Sequence, residues 1–298
     1  MTGAAIFGFP ESAAGAARLA DELGVPAREV LVHRFPDGES LVRVEPPARV
    51  AVLYRSLDHP NEKLVELLLA ASALKDNGAR RVILVAPYLA YMRQDMAFHA
   101  GEAVSQRVVG SLLSAHFDAV LAIDPHLHRI ASLSEIMPGV ETACVSAAPA
   151  LSAALDWSAN PLLVGPDEEA RQWVEAIAAP LEFDVLVGRK RRDADRRVEL
   201  DISGVEQAAG RRIVLVDDVI SSGETMIAAA RLLFDAGASE VEALATHCLA
   251  REDDLTRMRA AGICSIRSTD TVPGPTASIP IAQLVAGEIR RRGWLRKR

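Results

Sequence analysis

Short apolar runs separated by alanine-rich stretches, arranged in two successive series, constrain this chain more than any other feature. The first series falls at 4–7, 30–33, 50–54, 82–86 and 119–123, and the second at 162–164, 184–187, 213–216, 241–245 and 263–266. Such alternation predicts mostly parallel sheets covered by helices, since strands buried on both faces read as continuous apolar runs. The segment 61–77 is the clearest helix, with Leu64, Leu67, Leu68, Ala71 and Leu74 at spacings of three and four, Asn61 placed to cap its start and Asn77-Gly78 to end it. A boundary near 142–148 divides the chain into domains 1–145 and 146–280, with a last helix over 281–298 that could pack back on the first domain. Arg81 to Val85 echoes Arg212 to Val216, which suggests an internal duplication.

Hydrophobic residues make up 50% of the 298 positions but aromatic residues only 4%, so Ala, Val, Leu and Ile must build the cores. That favours α/β layers over an aromatic-rich β-sandwich. A net charge of -7 argues against nucleic acid as a partner, and no apolar stretch reaches the length of a membrane span. Cys144, Cys248 and Cys264 are scattered and odd in number, which suggests neither a disulfide framework nor a zinc site and fits a cytoplasmic protein. The basic tail 290–298 reads as cations set against the C-terminal dipole of a helix.

Within this frame the segment Ile213 to Thr225 carries the strongest chemical signal. An apolar strand runs into Asp217-Asp218, and Ser221-Ser222-Gly223-Glu224-Thr225 then opens a helix. Small residues at a helix N-terminus let backbone N–H groups close on a phosphate. Paired carboxylates beside them can accept hydrogen bonds from ribose hydroxyls or hold a divalent cation. This combination resembles the phosphoribosyl diphosphate loop of the type I phosphoribosyltransferase fold. It is not a Walker A loop, for no Gly-Lys-Ser/Thr follows the first glycine.

Four further segments narrow the reaction. Phe35-Pro36-Asp37-Gly38-Glu39 is an acid-Gly-acid turn with an aromatic able to stack on a base. Arg93-Gln94-Asp95 follows the strand at 82–86, and Asp124-Pro125-His126 puts an acid and an imidazole at the end of another strand, where ligands of parallel sheets collect. Gly188-Arg189-Lys190-Arg191-Arg192 is read as a mobile basic loop supplying cations where negative charge develops.

Taken together, these segments resemble the ribose-phosphate pyrophosphokinase family over nearly the full length, and residues 98–105 are closer to its shorter archaeal-type members. The resemblance implies an α/β protein of two similar type I phosphoribosyltransferase-like domains. It implies that Phe35, Asp37, Gly38, Glu39, Arg93 and Gln94 bind ATP, that His126 serves magnesium, and that Asp167 serves a second metal position or the ribose. It further implies that Lys190 and Arg192 are the catalytic cations, and that Asp217, Asp218 and the loop Ser221, Ser222, Gly223, Glu224, Thr225 hold ribose 5-phosphate. The expected reaction moves diphosphate from Mg-ATP to the 1-hydroxyl of ribose 5-phosphate, in a homo-oligomer with a dimer as its minimal unit and with neither nucleic acid nor membrane as partner. A phosphoribosyltransferase and a catalytically silent homologue are the competing readings. The chain departs from the family pattern at Glu168 and Glu169, which follow Asp167, at Met96, and at Glu224, which replaces a loop glycine.

Overall fold

A computed structural model describes residues 2–45, 48–192 and 198–296, with the side chains of Thr2, Trp157, Lys190–Arg192, Val198 and Glu199 left aside. The chain divides into two compact units, residues 1–146 with 271–273 and 280–298, and residues 147–270 with 274–279. Among the described residues no helix is long and apolar enough to cross a membrane.

The first unit contains β1 (Thr2–Gly8), α1 (Ala13–Leu23), β2 (Ala27–Arg34), β3 (Ser40–Val44), β4 (Ala48–Tyr54), α2 (Pro60–Asp76), β5 (Arg81–Ala86), α3 (Ser105–Ser114), β6 (Ala119–Ile123) and β7 (Glu141–Val145). Its seven-stranded sheet has the order β3-β2-β1-β4-β5-β6-β7, parallel except for the β2–β3 pair. β5 and β6 are buried almost throughout, as expected of central strands covered on both faces. α2 starts one residue before Asn61: His59 stands at the N-cap with φ 50°, Pro60 supplies the preset first helical φ, and the Asn61 side chain instead accepts from the Tyr91 hydroxyl. At the other end Asn77 Nδ2 donates to Ala73 O at 2.7 Å and Gly78 turns the chain at φ 92°.

The second unit contains α4 (Ala148–Ala153), β8 (Leu162–Gly165), α5 (Arg171–Ala178), β9 (Val185–Arg192), β10 (Val198–Ile202), β11 (Arg212–Ile220), α6 (Glu224–Asp235), β12 (Glu240–Cys248), α7 (Glu252–Ala260), β13 (Ile263–Thr269) and β14 (Ala277–Ile279). Its sheet runs β10-β9-β8-β11-β12-β13-β14, again parallel except at the β9–β10 pair. The orders are identical when each strand is matched to the one seven later, so β4, not β5, is the topological counterpart of β11. The likeness of Arg81–Val85 to Arg212–Val216 is therefore compositional, as buried parallel strands draw on the same few side chains. α8 (Ala282–Arg292) rejoins the first unit, where it packs on α1 and β7. Trp294, fully buried, donates from Nε1 to Glu141 Oε2 at 2.8 Å, which gives the indole both its apolar contact and its polar partner.

In each unit an antiparallel arm leaves the sheet. β2 pairs with β1 only as far as Glu29 and then runs on to Arg34, an overhang of roughly 15 Å at ~3.3 Å per residue. β9 pairs with β8 as far as Val187 and runs on to Arg192. The basic run 188–192 is thus strand rather than loop, because Val198–Ile202 turns back and completes its backbone hydrogen bonds.

Candidate active site

In the second unit the strand order reverses between β8 and β11, so the segments leaving the C-terminal ends of these neighbours flank a crevice, the usual ligand position in open α/β sheets. β8 delivers Gly165-Pro166-Asp167 there. β11 delivers the acid pair and the 221–225 loop. The pair lies inside β11 rather than after it, since the strand pairs with β12 through Asp217, opposite Ala245, on to Ile220, opposite Cys248. Ladder pairing fixes these backbones, a firmer mount than a loop gives.

Asp218 is 4% exposed and its N–H donates to Asp217 Oδ1 at 2.9 Å. Burial pushes the Asp217 carboxyl well above the usual carboxylate range, and the negative charges of Asp218 and Asp167 push it further. Asp167 is also buried, and its Oδ1 accepts from Glu169 N at 3.1 Å and Ala170 N at 3.3 Å, so that it caps the turn at 168–170. Three crowded carboxyls are electrostatically costly unless donors or a cation enter among them. Their oxygens fit ribose hydroxyls or a hard divalent ion such as magnesium.

Beyond β11, Gly223 at φ 76° turns the chain into α6, whose first amides have no partner within the helix and point toward the loop. Arg257 on α7 holds this loop from outside: it donates to the Glu224 carboxylate, to Ser222 O at 3.2 Å and to Asp254 Oδ1 at 2.7 Å. Glu224 is exposed and turned to that guanidinium, so its carboxylate is neutralised on the outside of the 221–225 loop. Sequence reasoning missed Arg257, which lies 33 residues from Glu224 and in no local motif. A basic residue in the last turn of an acidic helix was the available signal.

The second arm is seated on the same crevice. A Cβ on Gly188 would lie 2.4 Å from Pro166 O, so glycine lets β9 cross the 165–167 turn at contact distance. Arg189 Nε meets Glu168 Oε1 at 2.6 Å, and Arg171 Nε reaches Glu168 Oε2 at 3.2 Å. Hydrogen bonds first from Arg171 and then from Arg189 hold the Glu168 carboxyl below its usual range. Glu168, one of the departures from the family pattern, is thus an ion-pair partner of the arm. Lys190 and Arg192 lie on β9 opposite Leu200 and Val198, and their side chains are outside the described residues.

In the first unit the Phe35 turn tips the arm. Phe35 N–H donates to Glu39 O at 2.8 Å, Gly38 stands at φ 92°, and Asp37 Oδ1 accepts from Glu39 N at 3.1 Å. Phe35 is 41% exposed, with its edge set against His33 at a centroid distance of 4.8 Å. The loop after β5 exposes Arg93 and commits Gln94 internally, where Gln94 Oε1 accepts from Ser105 Oγ at 2.7 Å. Asp95 pairs with Arg129 at 3.3 Å and so joins this loop to the His126 loop. Asp124 adopts φ 33° as the chain leaves β6, and the Nε2 atoms of His126 and His128 lie 2.5 Å apart, with one ring edge on the other's face. Which of the two ring nitrogens donates depends on the tautomer.

Comparison with known proteins places these features in one family. The model of the N-terminal domain of ribose phosphate pyrophosphokinase matches residues 4–116, and that of the phosphoribosyl transferase domain matches residues 136–268. Ribose-phosphate pyrophosphokinase of Methanopyrus kandleri is 38% identical over 276 residues, which cover 90% of this chain and 92% of that one. The protein of the same name from Methanothermobacter thermautotrophicus is 33% identical, covering 94% and 98%. In fold, the chain is similar to the phosphoribosylpyrophosphate synthetase of Mycobacterium smegmatis, with a TM-score of 0.83 over 97% of this chain and 98% of that one, at 24% identity.

Proposed function

The chain belongs to the ribose-phosphate pyrophosphokinase family, and on that footing we propose how its residues divide a diphosphate transfer from Mg-ATP to ribose 5-phosphate. The protein is an enzyme of the diphosphotransferase class. The observation that carries the assignment of roles is the acidic strand end and phosphate loop at the β8–β11 reversal, with the basic arm seated beside them.

The 5-phosphate sits on the 221–225 amides, and Asp217 and Asp218 accept from the ribose hydroxyls, which relieves the repulsion that burial imposes on Asp217. Phe35 and Arg93 hold adenine between them, while Asp37, Gly38 and Glu39 shape the turn and Gln94 braces the Arg93 loop. The 1-hydroxyl oxygen attacks the β-phosphorus. Its bond to the α–β bridging oxygen breaks, AMP leaves and the hydroxyl proton is lost. Lys190 and Arg192 stabilise the charge developing on the transferred group. His126 in the first unit and Asp167 in the second would each offer magnesium a ligand, and the ion would supply charge neutralisation on the diphosphate.

The nucleotide site is completed by a second copy of the chain. In support, β1 and β4 stand between β2 and β5, so the strands that carry Phe35 and Arg93 are three spacings, roughly 14 Å, apart. The arm also overhangs the sheet. A monomer retaining full activity would refute this part of the reading.

Incubation with Mg-ATP and ribose 5-phosphate should yield AMP and phosphoribosyl diphosphate in equal amounts. AMP no higher than in a ribose-free control, across phosphate and magnesium concentrations, would overturn the assignment.

A further inference from the structure

The strand reversal of the first unit, between β1 and β4, has the topology that makes a crevice in the second, yet it is filled by a side chain of the protein itself. Arg55, the residue after β4, is 1% exposed. Its guanidinium lies 3.8 Å from the centroid of Phe9, donates from Nε to Glu11 Oε1 at 2.7 Å and from Nη1 to Lys63 O at 2.9 Å, and meets Glu66 Oε2 on α2 at 2.5 Å. Ser56 N–H donates to Ser12 Oγ at 3.2 Å and further ties the two loops together.

Glu66, 1% exposed, faces two ways. Through Oε2 it neutralises Arg55, and through Oε1 it accepts from Arg34 Nε at 3.0 Å and from Ser40 Oγ at 3.1 Å. Arg34 is the last residue of β2 and Ser40 the first of β3, so one carboxylate oxygen grips both roots of the Phe35 turn. Glu62, one helical turn earlier, meets Arg34 Nη1 at 3.2 Å. Among the described residues β2 pairs at this level with β3 and not with β1, and α2 packs against β3. Burial alone would raise the Glu66 carboxyl, but hydrogen bonds from Arg55 and Arg34 prevail and keep it ionised.

We propose that Glu66, with its charge compensated by Arg55, is a positioning residue for the nucleotide: from α2 it fixes both roots of the Phe35 turn and sets where that aromatic stands. The inference rests on the reading of the turn as part of the ATP site. The buried arginine therefore serves twice, closing the unused crevice and making an ionised carboxylate affordable beneath the arm. Replacing Glu66 would leave the buried Arg55 with Glu11 as its remaining ion-pair partner and endanger folding, so the arm side is the place to cut.

The test is the double variant Arg34→Gln/Ser40→Ala in the full-length enzyme, with Ser40→Thr, which keeps the hydroxyl, as the conservative control. The KM for ATP should rise about tenfold, the equivalent of one charge-assisted hydrogen bond, with kcat lowered less than about threefold and the KM for ribose 5-phosphate unmoved. Hydrogen exchange at the Phe35 and Glu39 amides should quicken without substrate, and Ser40→Thr should match the parent. A folded double variant with parental exchange and parental KM for ATP overturns the tether. Faster exchange with an unmoved KM for ATP overturns the proposal through the underlying nucleotide reading instead, so the two failures are distinguishable.

Discussion

The two arms hold the same place in sheets of identical strand order, but they are secured by opposite means. The first is tied at its roots to a buried ion cluster on α2, while the second is set by Gly188 against Pro166 O and by the exposed Arg189–Glu168 pair. The contrast continues at the strand reversals behind them. Arg55 fills the first, whereas the second brings Asp167, Asp217 and Asp218 together beside the 221–225 loop. Topology alone thus offers a crevice twice, and the side chains in and just beyond the end of the central strand give the two different linings. A guanidinium with internal partners occupies the first, and crowded carboxyls line the second.

Substitutions in the second arm should be the most damaging. Lys190→Ala should cost ~10²–10³ in kcat with the KM values nearly unchanged, since a cation facing developing charge acts in the transition state; a loss confined to KM would move Lys190 out of the chemistry. At the reversal, Asp217→Asn should lower kcat/KM for ribose 5-phosphate roughly 30-fold, in line with a charge-assisted hydrogen bond. The same change should stabilise the unliganded protein at neutral pH. Because the folded-state pKa of Asp217 is raised, the native state binds the proton more tightly than the unfolded chain does, so its ionisation penalises folding above that pKa. Thermal melts should show a gain of roughly 2–4 °C near pH 7, about what 1 kcal/mol gives in a large domain. The gain should vanish as pH falls toward the unfolded value of about 3.9; a gain independent of pH would refute the electrostatic account.

Phe35→Ala belongs to the first arm and should raise the KM for ATP about tenfold through lost stacking, leaving kcat within severalfold. Arg257→Ala should be milder, about threefold in the KM for ribose 5-phosphate, since its pairs with Glu224 and Asp254 are solvent-exposed. An effect of Arg257→Ala on the KM for ATP instead would break the assignment of the 221–225 loop to the sugar phosphate.

Much of the fold was legible because central strands buried on both faces write uninterrupted apolar runs: β4, β5, β6, β8, β11 and β12 all coincide with one. The edge strands were not legible. β3 alternates exposed and covered residues, β14 spans three residues, and β10 pairs with a basic run that composition alone suggests is a loop. The candidate motifs are contiguous in sequence, as a loop at a helix start and an acid-Gly-acid turn must be, and so stand out without a structure. What holds them does not: Glu66 reaches Arg34 across 32 residues and Arg257 reaches Glu224 across 33, and only folding brings such pairs together. The same limit explains why Glu168 and Glu224 seemed out of place, since their arginine partners are supplied by other elements.

The central claim is that the first arm serves the nucleotide and the second reversal serves the sugar phosphate. The most direct measurement is equilibrium titration of a non-hydrolysable Mg-ATP analogue and of ribose 5-phosphate, each alone, into Phe35→Ala and Asp217→Asn. Phe35→Ala should weaken only the nucleotide and Asp217→Asn only the sugar phosphate, each by about tenfold or more. If both variants lost the same ligand, or each lost the other's, the division of labour between the two units would be contradicted.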